Sequence, residues 1–335
     1  MKVRKRPEFD RFVCVAGACP DSCCKEWEVQ LDAVAAANYR EVPGELGAEL
    51  RRVMQFQPDG TAVMTIENGR CPMWQTDGLC RIQRQLGEAA LCDVCRQFPR
   101  LQHDYGDFVE WGLEMSCPEA ARLILHAPMG EMLVCWTEQD GEGEYDAEAM
   151  AVLLRTRETA WKLLGEECLS PEEMLSALLI FGYQAQGELD GDAQEPFDVA
   201  AALELAEELS CRPDRQALSA FFQTLEILTP EWKNRLENLP TPGTWPEETR
   251  QLAQYFVDRY WLQAVSDYDL VSRVKLTVVL CILIWQLGGD FVQTAQLCSK
   301  EIENNVDNVE AILDGVYTHP VLTDRALLGI LLKQT

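Results

Sequence analysis

The chain has 335 residues with 55 acidic and 29 basic side chains, which gives a formal net charge of -26. Such acidity argues against binding to nucleic acid or to an anionic membrane, because these surfaces are bound mainly through Lys and Arg. The hydrophobic content of 47% excludes wholesale disorder, and the length suffices for a sizeable core. The net charge is -4 over residues 1–127 and -22 over residues 128–335, so we expect two regions with different roles.

The region 1–127 predicts short strands and helices. Alternating apolar and polar residues indicate strands, whereas apolar residues at helical spacing, bounded by Gly or Pro, indicate helices. In chain order we predict a strand at 27–31, a helix over 33–54 with a break at Pro43-Gly44, a strand at 63–66, a helix over 79–86, a hairpin of 101–103 with 109–115, and a helix over 118–126. In the hairpin, Glu110 and Glu114 share the face opposite Trp111.

The region 128–335 predicts helices throughout. Ser170-Pro171-Glu172-Glu173 is a capping box, and helical spacing continues from it to Gln184. Further helices are predicted over 147–166, 197–209, 214–227, 246–266, 269–287, 290–304 and 320–333, with another start at Thr229-Pro230. The apolar stretch 276–285 is about half of the roughly 20 residues that a membrane span needs, so we expect a buried core helix there. The expected fold is mainly α: a Cys-rich α+β metal-binding domain in 1–127, then an acidic all-α bundle in 128–335.

Fourteen cysteines are present, and nine of them lie between Cys14 and Cys117. The basic first residues lead into Pro7 and further charges instead of the apolar core of a signal peptide, so we expect a cytoplasmic protein. Disulfides are rare in the cytosol, and a thiol cluster there indicates a metal or redox site. The five remaining cysteines are expected to pack as small hydrophobes: Cys135, Cys168, Cys211, Cys281 and Cys298.

The N-terminal thiols form three groups along the sequence. They are Cys14, Cys19, Cys23 and Cys24; Cys71 and Cys80; and Cys92 and Cys95, with Cys117 further on. Several thiolates on tight turns suit Zn(II) or an iron–sulfur cluster. The spacing matches neither a zinc finger nor the Cys-x3-Cys-x2-Cys run of radical S-adenosylmethionine enzymes. The metal therefore stays open, and Cys92 is equally well a ligand or the neighbour of one.

A family resemblance is carried by motifs between residues 9 and 125. These are Cys19-Pro-Asp-Ser-Cys23-Cys24, Cys71-Pro72, Gly78-Leu79-Cys80-Arg-Ile82, Cys95-Arg-Gln-Phe98-Pro99-Arg100 and Ser116-Cys117-Pro118. Together they resemble the flagellin lysine-N-methylase (FliB) family, whose Cys-rich part is similar to iron- or zinc-chelating domains with a Cys-x3-Cys-Cys start. A looser likeness continues over 255–285.

The resemblance implies methyl transfer from S-adenosylmethionine to surface lysines of flagellin, together with a 4Fe-4S cluster or, alternatively, zinc. Carried over by position, the metal ligands would be Cys14, Cys19, Cys23, Cys24, Cys71, Cys80, Cys95 and Cys117. Cys92 is left out, because a serine-like residue is expected there in relatives. Eight thiols exceed the four that one cluster needs, so either some are spare or there are two sites.

Candidate catalytic residues follow from the implied reaction. A lysine amine must lose its proton before it attacks a methyl sulfonium, and an acidic or phenolic side chain usually assists. Glu110 and Glu114 on the hairpin, with Tyr105 at its tip, are the nearest candidates by sequence. The alternative interpretation of the two glutamates is a solvated strand face.

Candidate cofactor-binding residues are Trp27, Trp74 and Trp111, because aromatic faces suit a sulfonium group; packing of the small domain is the alternative. No Gly-x-Gly-x-x-Gly turn follows a predicted strand, so a Rossmann-type methyltransferase is not expected. The second interpretation of the whole chain is a non-catalytic iron–sulfur or zinc protein with a helical interaction domain. The sequence does not define the oligomeric state.

Overall fold

The computed structural model describes residues 1–25, 28–138, 144–193 and 195–333. It is mainly helical, as the sequence predicts, and contains two small sheets. The early helices are short: α1 Pro7–Arg11, α2 Ala33–Glu41, α3 Gly44–Val53, α4 Arg81–Leu86, α5 Asp93–Gln97 and α6 Pro118–Leu125. Later helices reach 19 residues: α7 Ala147–Leu164, α8 Pro171–Leu189, α9 Val199–Leu209, α10 Arg215–Phe222, α11 Pro230–Glu237, α12 Thr249–Tyr260, α13 Leu270–Leu287, α14 Phe291–Cys298, α15 Val306–Thr318 and α16 Asp324–Leu332.

The strands form a four-stranded and a three-stranded sheet. They are β1 Lys2–Lys5, β2 Val29–Leu31, β3 Met54–Phe56, β4 Ala62–Met64, β5 Arg100–Asp104, β6 Phe108–Leu113 and β7 Leu133–Trp136. The larger sheet has the order β5-β6-β1-β7, with β1 parallel to β6 and antiparallel to β7. The smaller has the order β2-β4-β3. Strand β7 corrects the expectation of an all-α region from residue 128. Four consecutive apolar residues do not by themselves distinguish a strand from a helix, and the strand that pairs with β7, β1, lies far away in sequence at residues 2–5.

Local sequence signals predicted many elements correctly. The predicted hairpin is present as β5 and β6. The Ser170 hydroxyl accepts a hydrogen bond from Glu173 N, and the Glu173 carboxylate accepts one from Ser170 N, so the capping box is confirmed. Gly87 ends α4 at a φ of 90°, a conformation that favours glycine. Helix α15 was not predicted, and it shows that the acidic C-terminal region is even more helical than expected.

Two hydrophobic cores divide the chain. The small core is built from the three-stranded sheet, α2, α3 and the thiol-bearing loops, and it ends at Cys92. The large core unites the C-terminal helices with the hairpin and α6. Residues 100–127 therefore pack with the helical body, and the division of the cores does not coincide with the predicted domain boundary at residue 127.

Helix α13 forms the centre of the helical body. All 18 of its residues are buried, so the expectation of a core helix around 276–285 is confirmed. By length and composition alone it is also apolar enough to cross a membrane. Helix α8 packs closely against it at Gly182, where an added Cβ would lie 2.8 Å from a methyl group of Val274.

The helix predicted over 290–304 changes its geometry near the end. Helix α14 stops at Cys298, and Ser299–Glu303 follows as a buried π-helical segment. Such segments are uncommon and occur often at functional sites. In this segment Lys300 contacts Asp21, and Glu303 contacts Arg259.

Candidate active site and thiol cluster

A pocket lies between β6 of the larger sheet and α12 of the helical body. Its empty space, counted out to the open solvent, is about 690 Å³. Its walls come from α1, the hairpin, α6 with the segment after it, and α12. The polar and charged residues that line it are Arg6, Glu8, His103, Glu110, Gln251, Gln254, Tyr255, Asp258 and Arg259. A cleft that gathers buried ionisable groups is typical of an active site.

Glu110 lines this pocket, but its carboxylate is paired. The residue is only 4% exposed, and Arg157 donates to its two oxygens at 2.5 and 2.8 Å. Arg4 adds a contact at 3.3 Å. Burial alone would raise the pKa of Glu110, but the two guanidiniums outweigh burial and lower it. The predicted alternative of a solvated strand face is therefore wrong for Glu110, because a buried arginine lies opposite it.

Three other groups in the pocket have unmet hydrogen-bonding capacity. Glu8 is 8% exposed, and apart from its own backbone N–H no described residue hydrogen-bonds to its carboxylate. Within the described residues, the buried Oε1 of Gln251 and Nε2 of His103 also have no hydrogen-bond partner. Burial raises the pKa of Glu8. Burial, with the charge of Arg259, lowers the pKa of His103, so its ring is neutral at pH 7.

The positive charges of the pocket are already paired. Arg6 donates to both oxygens of Asp258 at 2.8 and 3.0 Å, and the indole of Trp161 donates to the same carboxylate. Arg259 pairs with the buried Glu303 at 3.0 Å. The guanidiniums of the pocket therefore have partners, whereas the Glu8 carboxylate, Gln251 Oε1 and His103 Nε2 do not have one from another described residue.

Glu303 of the π-helical segment joins α12 to this charge network. The hydroxyls of Tyr255 and Tyr260 donate to its carboxylate at 3.0 and 2.9 Å. The Tyr255 hydroxyl also accepts hydrogen bonds from Arg259 and from the backbone N–H of Met115, just after β6. The π-helical segment thereby contacts the wall of the pocket.

The other two predicted catalytic residues lie elsewhere. The Glu114 carboxylate accepts a hydrogen bond from the Ser116 hydroxyl at 2.6 Å, and burial raises its pKa. It interacts electrostatically with Arg259 and Glu303, at the back of the pocket wall. Tyr105 lies in the large hydrophobic core, with its ring 5.1 Å from that of Phe108.

The predicted cofactor-binding tryptophans are not brought together. Trp111 lines the pocket and stacks on Phe9 with ring centroids 5.4 Å apart. Trp74 lies among the thiol-bearing loops, and the Arg70 guanidinium covers its ring at 4.4 Å. Trp27 lies outside the described residues.

The thiols of the small core lie close to one another. Cys23 and Cys24 hydrogen-bond through their side chains, and Cys24 interacts electrostatically with Cys71 and Cys80. Cys95 interacts in the same way with Cys23 and Cys24. The hydrogen bond from Cys24 lowers the pKa of Cys23, although burial opposes it. Sequence groups that are up to 72 residues apart thus meet in one place.

Cys92, left out by the resemblance, belongs to the same neighbourhood. It is 2% exposed, and its thiol hydrogen-bonds that of Cys95. The hydroxyl of Tyr39 accepts a hydrogen bond from its backbone N–H at 3.1 Å. The sequence left open whether Cys92 is a metal ligand or the neighbour of one. Its Cys-x2-Cys spacing from Cys95, which is common in metal sites, is the signal that would have favoured a ligand.

A second set of thiols adjoins the first. Cys117 interacts electrostatically with Cys19 and Cys23, and Cys19 with Cys14 and Cys23. Nine thiols are therefore connected through Cys23, and we refer to them as the thiol cluster: Cys14, Cys19, Cys23, Cys24, Cys71, Cys80, Cys92, Cys95 and Cys117. The donor chemistry suits a thiophilic metal. Within the described parts of the chain, however, no three Cys, His, Asp or Glu side chains are arranged closely enough to hold a metal ion.

Contacts from α14 and the π-helical segment fasten the thiol loop to the helical body. The ammonium of Lys300 lies 3.1 Å from the carboxylate of Asp21, between Cys19 and Cys23. The Gln296 amide donates to Asp21 and to the carbonyl of Ser116, beside Cys117. Lys25 pairs with the other Asp21 oxygen at 3.0 Å.

Comparison with known proteins finds similarity to two kinds of curated relative. The chain is 32% identical over 130 residues to a lysine-N-methylase of Salmonella typhimurium; the stretch is 35% of this chain and 31% of that protein. It is 33% identical over 129 residues to the flagellar biosynthetic protein FliU of Salmonella muenchen, which is 35% of this chain and 73% of FliU. The match thus spans about a third of the methylase. No family model matches the chain, and no solved structure matches it.

Proposed function

The chain belongs to the family of the lysine-N-methylases and FliU, and we propose that it transfers methyl groups to ε-amines of protein lysines. S-adenosylmethionine is the proposed methyl donor. Flagellin is the proposed protein substrate, and the name of FliU as a flagellar biosynthetic protein supports this choice.

The observation that supports a reaction site in this chain is the pocket between β6 and α12. It combines buried ionisable groups, unmet hydrogen-bond acceptors and an aromatic wall at Trp111. In the proposed reaction the lysine nitrogen donates its lone pair to the methyl carbon, the C–S bond breaks, and its electron pair stays on sulfur. N-methyl-lysine and S-adenosylhomocysteine result, and the proton lost by the ammonium passes through a base to solvent.

Glu110 is unsuited to be that base. Its ionised form is stabilised by Arg157 and Arg4, which makes the carboxylate a weaker proton acceptor. We assign it to holding β6, and hence Trp111, against the helical body.

We further propose that the thiol cluster holds an iron–sulfur cluster or zinc. The ligands would be drawn from five thiols of the small core and the exposed Cys23 beside them: Cys23, Cys24, Cys71, Cys80, Cys92 and Cys95. They exceed the four ligands of one site, and a bound metal would cross-link the loops of a core that is otherwise small. Cys14, Cys19 and Cys117 would be spare or would belong to a second site.

The test is to incubate the anaerobically purified protein with flagellin and S-adenosylmethionine carrying a labelled methyl group. We expect label on lysine side chains, located by mass spectrometry of peptides. Flagellin whose lysines are acetylated beforehand is the matched control and should take up no label. A fully metal-loaded protein that labels no lysine would contradict the proposed activity.

The second candidate function is a non-catalytic metal protein with a helical interaction domain, which the gathering of nine thiols favours equally well. Absence of methyl transfer together with tight binding of flagellin would support it. Absorption in the visible region would separate iron–sulfur from zinc, because zinc has no charge-transfer band there.

A further inference from the structure

The pocket presents three polar groups without a partner from another described residue, and the arginines in its wall are already paired. Glu8, Gln251 and His103 come from α1, α12 and β5 and line the same pocket. Among the described residues, none other than Glu8 itself hydrogen-bonds to the Glu8 carboxylate, and the buried Gln251 Oε1 and His103 Nε2 have no hydrogen-bond partner. Buried polar groups without partners are rare in folded proteins, and each calls for an explanation such as a ligand or a catalytic role.

The chemistry of these groups selects one kind of ligand. A carboxylate and an amide oxygen only accept hydrogen bonds, and a neutral imidazole with its proton on Nδ1 presents Nε2 as an acceptor. A primary ammonium is the complement, because it carries three N–H donors, a positive charge and no acceptor. An anion would need free guanidiniums, but Arg6 and Arg259 are held by Asp258 and Glu303.

We propose that Glu8, Gln251 and His103 bind the ε-ammonium of the substrate lysine, and that Glu8 is the group that takes its proton. This assignment rests on the proposed lysine methyl transfer. The buried Glu8 carboxylate accepts the proton from the ammonium, the freed amine then attacks the methyl carbon, and the protonated Glu8 afterwards releases its proton to solvent. Because the pKa of Glu8 is raised, it lies closer to the pKa of the lysine ammonium, and this smaller difference assists the proton transfer.

The same acceptors make the site sensitive to the methylation state of the lysine. Each added methyl group removes one N–H donor, and a trimethylated amine keeps its charge but has no donor left. Binding should therefore weaken from the unmethylated to the trimethylated side chain, which favours release of the product.

Binding of small probes tests the assignment without any methyl transfer. Three short peptides are titrated calorimetrically into the full-length protein; they differ only in carrying lysine, trimethyl-lysine or norleucine at the central position. We expect the lysine peptide to bind at least about tenfold more tightly than either of the others, as the loss of charged hydrogen bonds implies. Equal binding of the three peptides would overturn the proposal.

Glu8→Gln should abolish this preference, and Asp10→Asn is its matched control. Asp10 lies on the same short helix, is half exposed and pairs with Lys5 at 2.6 Å. Because no other residue among those described hydrogen-bonds to the Glu8 carboxylate, the glutamine variant should fold, which circular dichroism verifies. If it does not fold, Gln251→Leu should reduce the same preference; a Gln251→Leu protein with unchanged preference would then contradict the proposal.

The failure of the proposed function and the failure of this assignment give different results. If the wild-type protein prefers the lysine peptide but methylates no lysine, the ammonium site is supported and the proposed enzymatic activity is contradicted. If the wild type is active and the Glu8→Gln variant has the same kcat, KM and pH profile, the methyl transfer is supported and the role given to Glu8 is contradicted.

Discussion

The small and the large hydrophobic cores of this protein are built on different scales. The small core has strands of three residues and helices of five to ten, and its buried members include Cys71 and Cys92. The large core surrounds an 18-residue helix that is buried along its whole length. A core of the smaller kind rarely supplies enough burial to be stable alone and usually needs metals or disulfides, whereas the larger kind does not. The difference predicts that thiol chemistry governs one region and packing with buried ion pairs governs the other.

The largest expected effect is the loss of structure in the small core when two of its proposed metal ligands are removed. Cys24→Ser with Cys95→Ser should lower the bound metal and raise hydrogen exchange across residues 29–97 toward that of an unfolded chain, because binding energy is folding energy at such sites. Helices α12 and α13 should keep their protection. Metal analysis and hydrogen-exchange mass spectrometry provide the measurement.

Cys168→Ser is the control for that change, since Cys168 is exposed and far from the thiol cluster in sequence. It should change neither the metal content nor the exchange of either core. Full metal content and unchanged exchange in the double variant would show that the small core does not depend on these thiols.

The next largest effect concerns the buried ion pair of the helical body. Glu110→Ala leaves Arg157 fully buried without its partner, and we expect a loss of about 3–5 kcal/mol in the free energy of unfolding. Arg122→Ala breaks the surface pair with Glu119 and should cost about 1 kcal/mol or less. Urea unfolding followed by circular dichroism compares them, and similar losses in both would refute the role given to burial.

A smaller effect is expected when the contact between the thiol loop and the helical body is weakened, because neither core should unfold. Asp21→Asn weakens the contact of the thiol loop with Lys300, and a charged hydrogen bond is worth about 1.5–3 kcal/mol. We expect faster hydrogen exchange in residues 14–25 with unchanged exchange in α13. Asp59→Asn, on an exposed turn of the small region, is the control. Identical exchange in the two variants would mean that the contact does not fasten the loop.

The smallest effect is a pH dependence that comes from Glu8. Because the folded-state pKa is raised, the contribution of Glu8 to stability is complete below its ordinary value of 4.5 and declines as the pH rises through the folded-state pKa. The charges that face it are Arg6, Arg11 and Asp258. The wild type should therefore lose stability relative to Glu8→Gln between pH 4.5 and pH 8 in urea titrations. A constant difference over this range would contradict the raised pKa.

Local patterns in the sequence predicted the elements but not the site. The capping box at Ser170 and the hairpin around Tyr105 depend on neighbouring residues, and both are correct. The burial of Glu110 could not be predicted, because its partner Arg157 lies 47 residues away on α7. Glu8 and Gln251 carry no local signal of function, since only the folded chain places them in one pocket.

For the thiols, the sequence predicted the shared location but not the individual contacts. Their residue type and number predicted a shared location for sequence groups that are far apart, because many cysteines in one region are typical of a metal or redox site. Which of them contact each other could not be predicted: the thiol of Cys92 hydrogen-bonds that of Cys95, although the resemblance left Cys92 out of the metal ligands.

The π-helical segment Ser299–Glu303 makes the thiol loop and the pocket depend on a single turn of the chain. Lys300 reaches Asp21 and Glu303 reaches Arg259, so two residues three positions apart serve both places. A π-turn holds one residue more than an α-turn, and removing that residue would rotate everything beyond it by about 100°. The length of this turn therefore sets the direction of Glu303 relative to Lys300. Deletion of one residue between them would leave the two side chains unable to reach Asp21 and Arg259 together, without any substitution in the pocket or the thiol cluster.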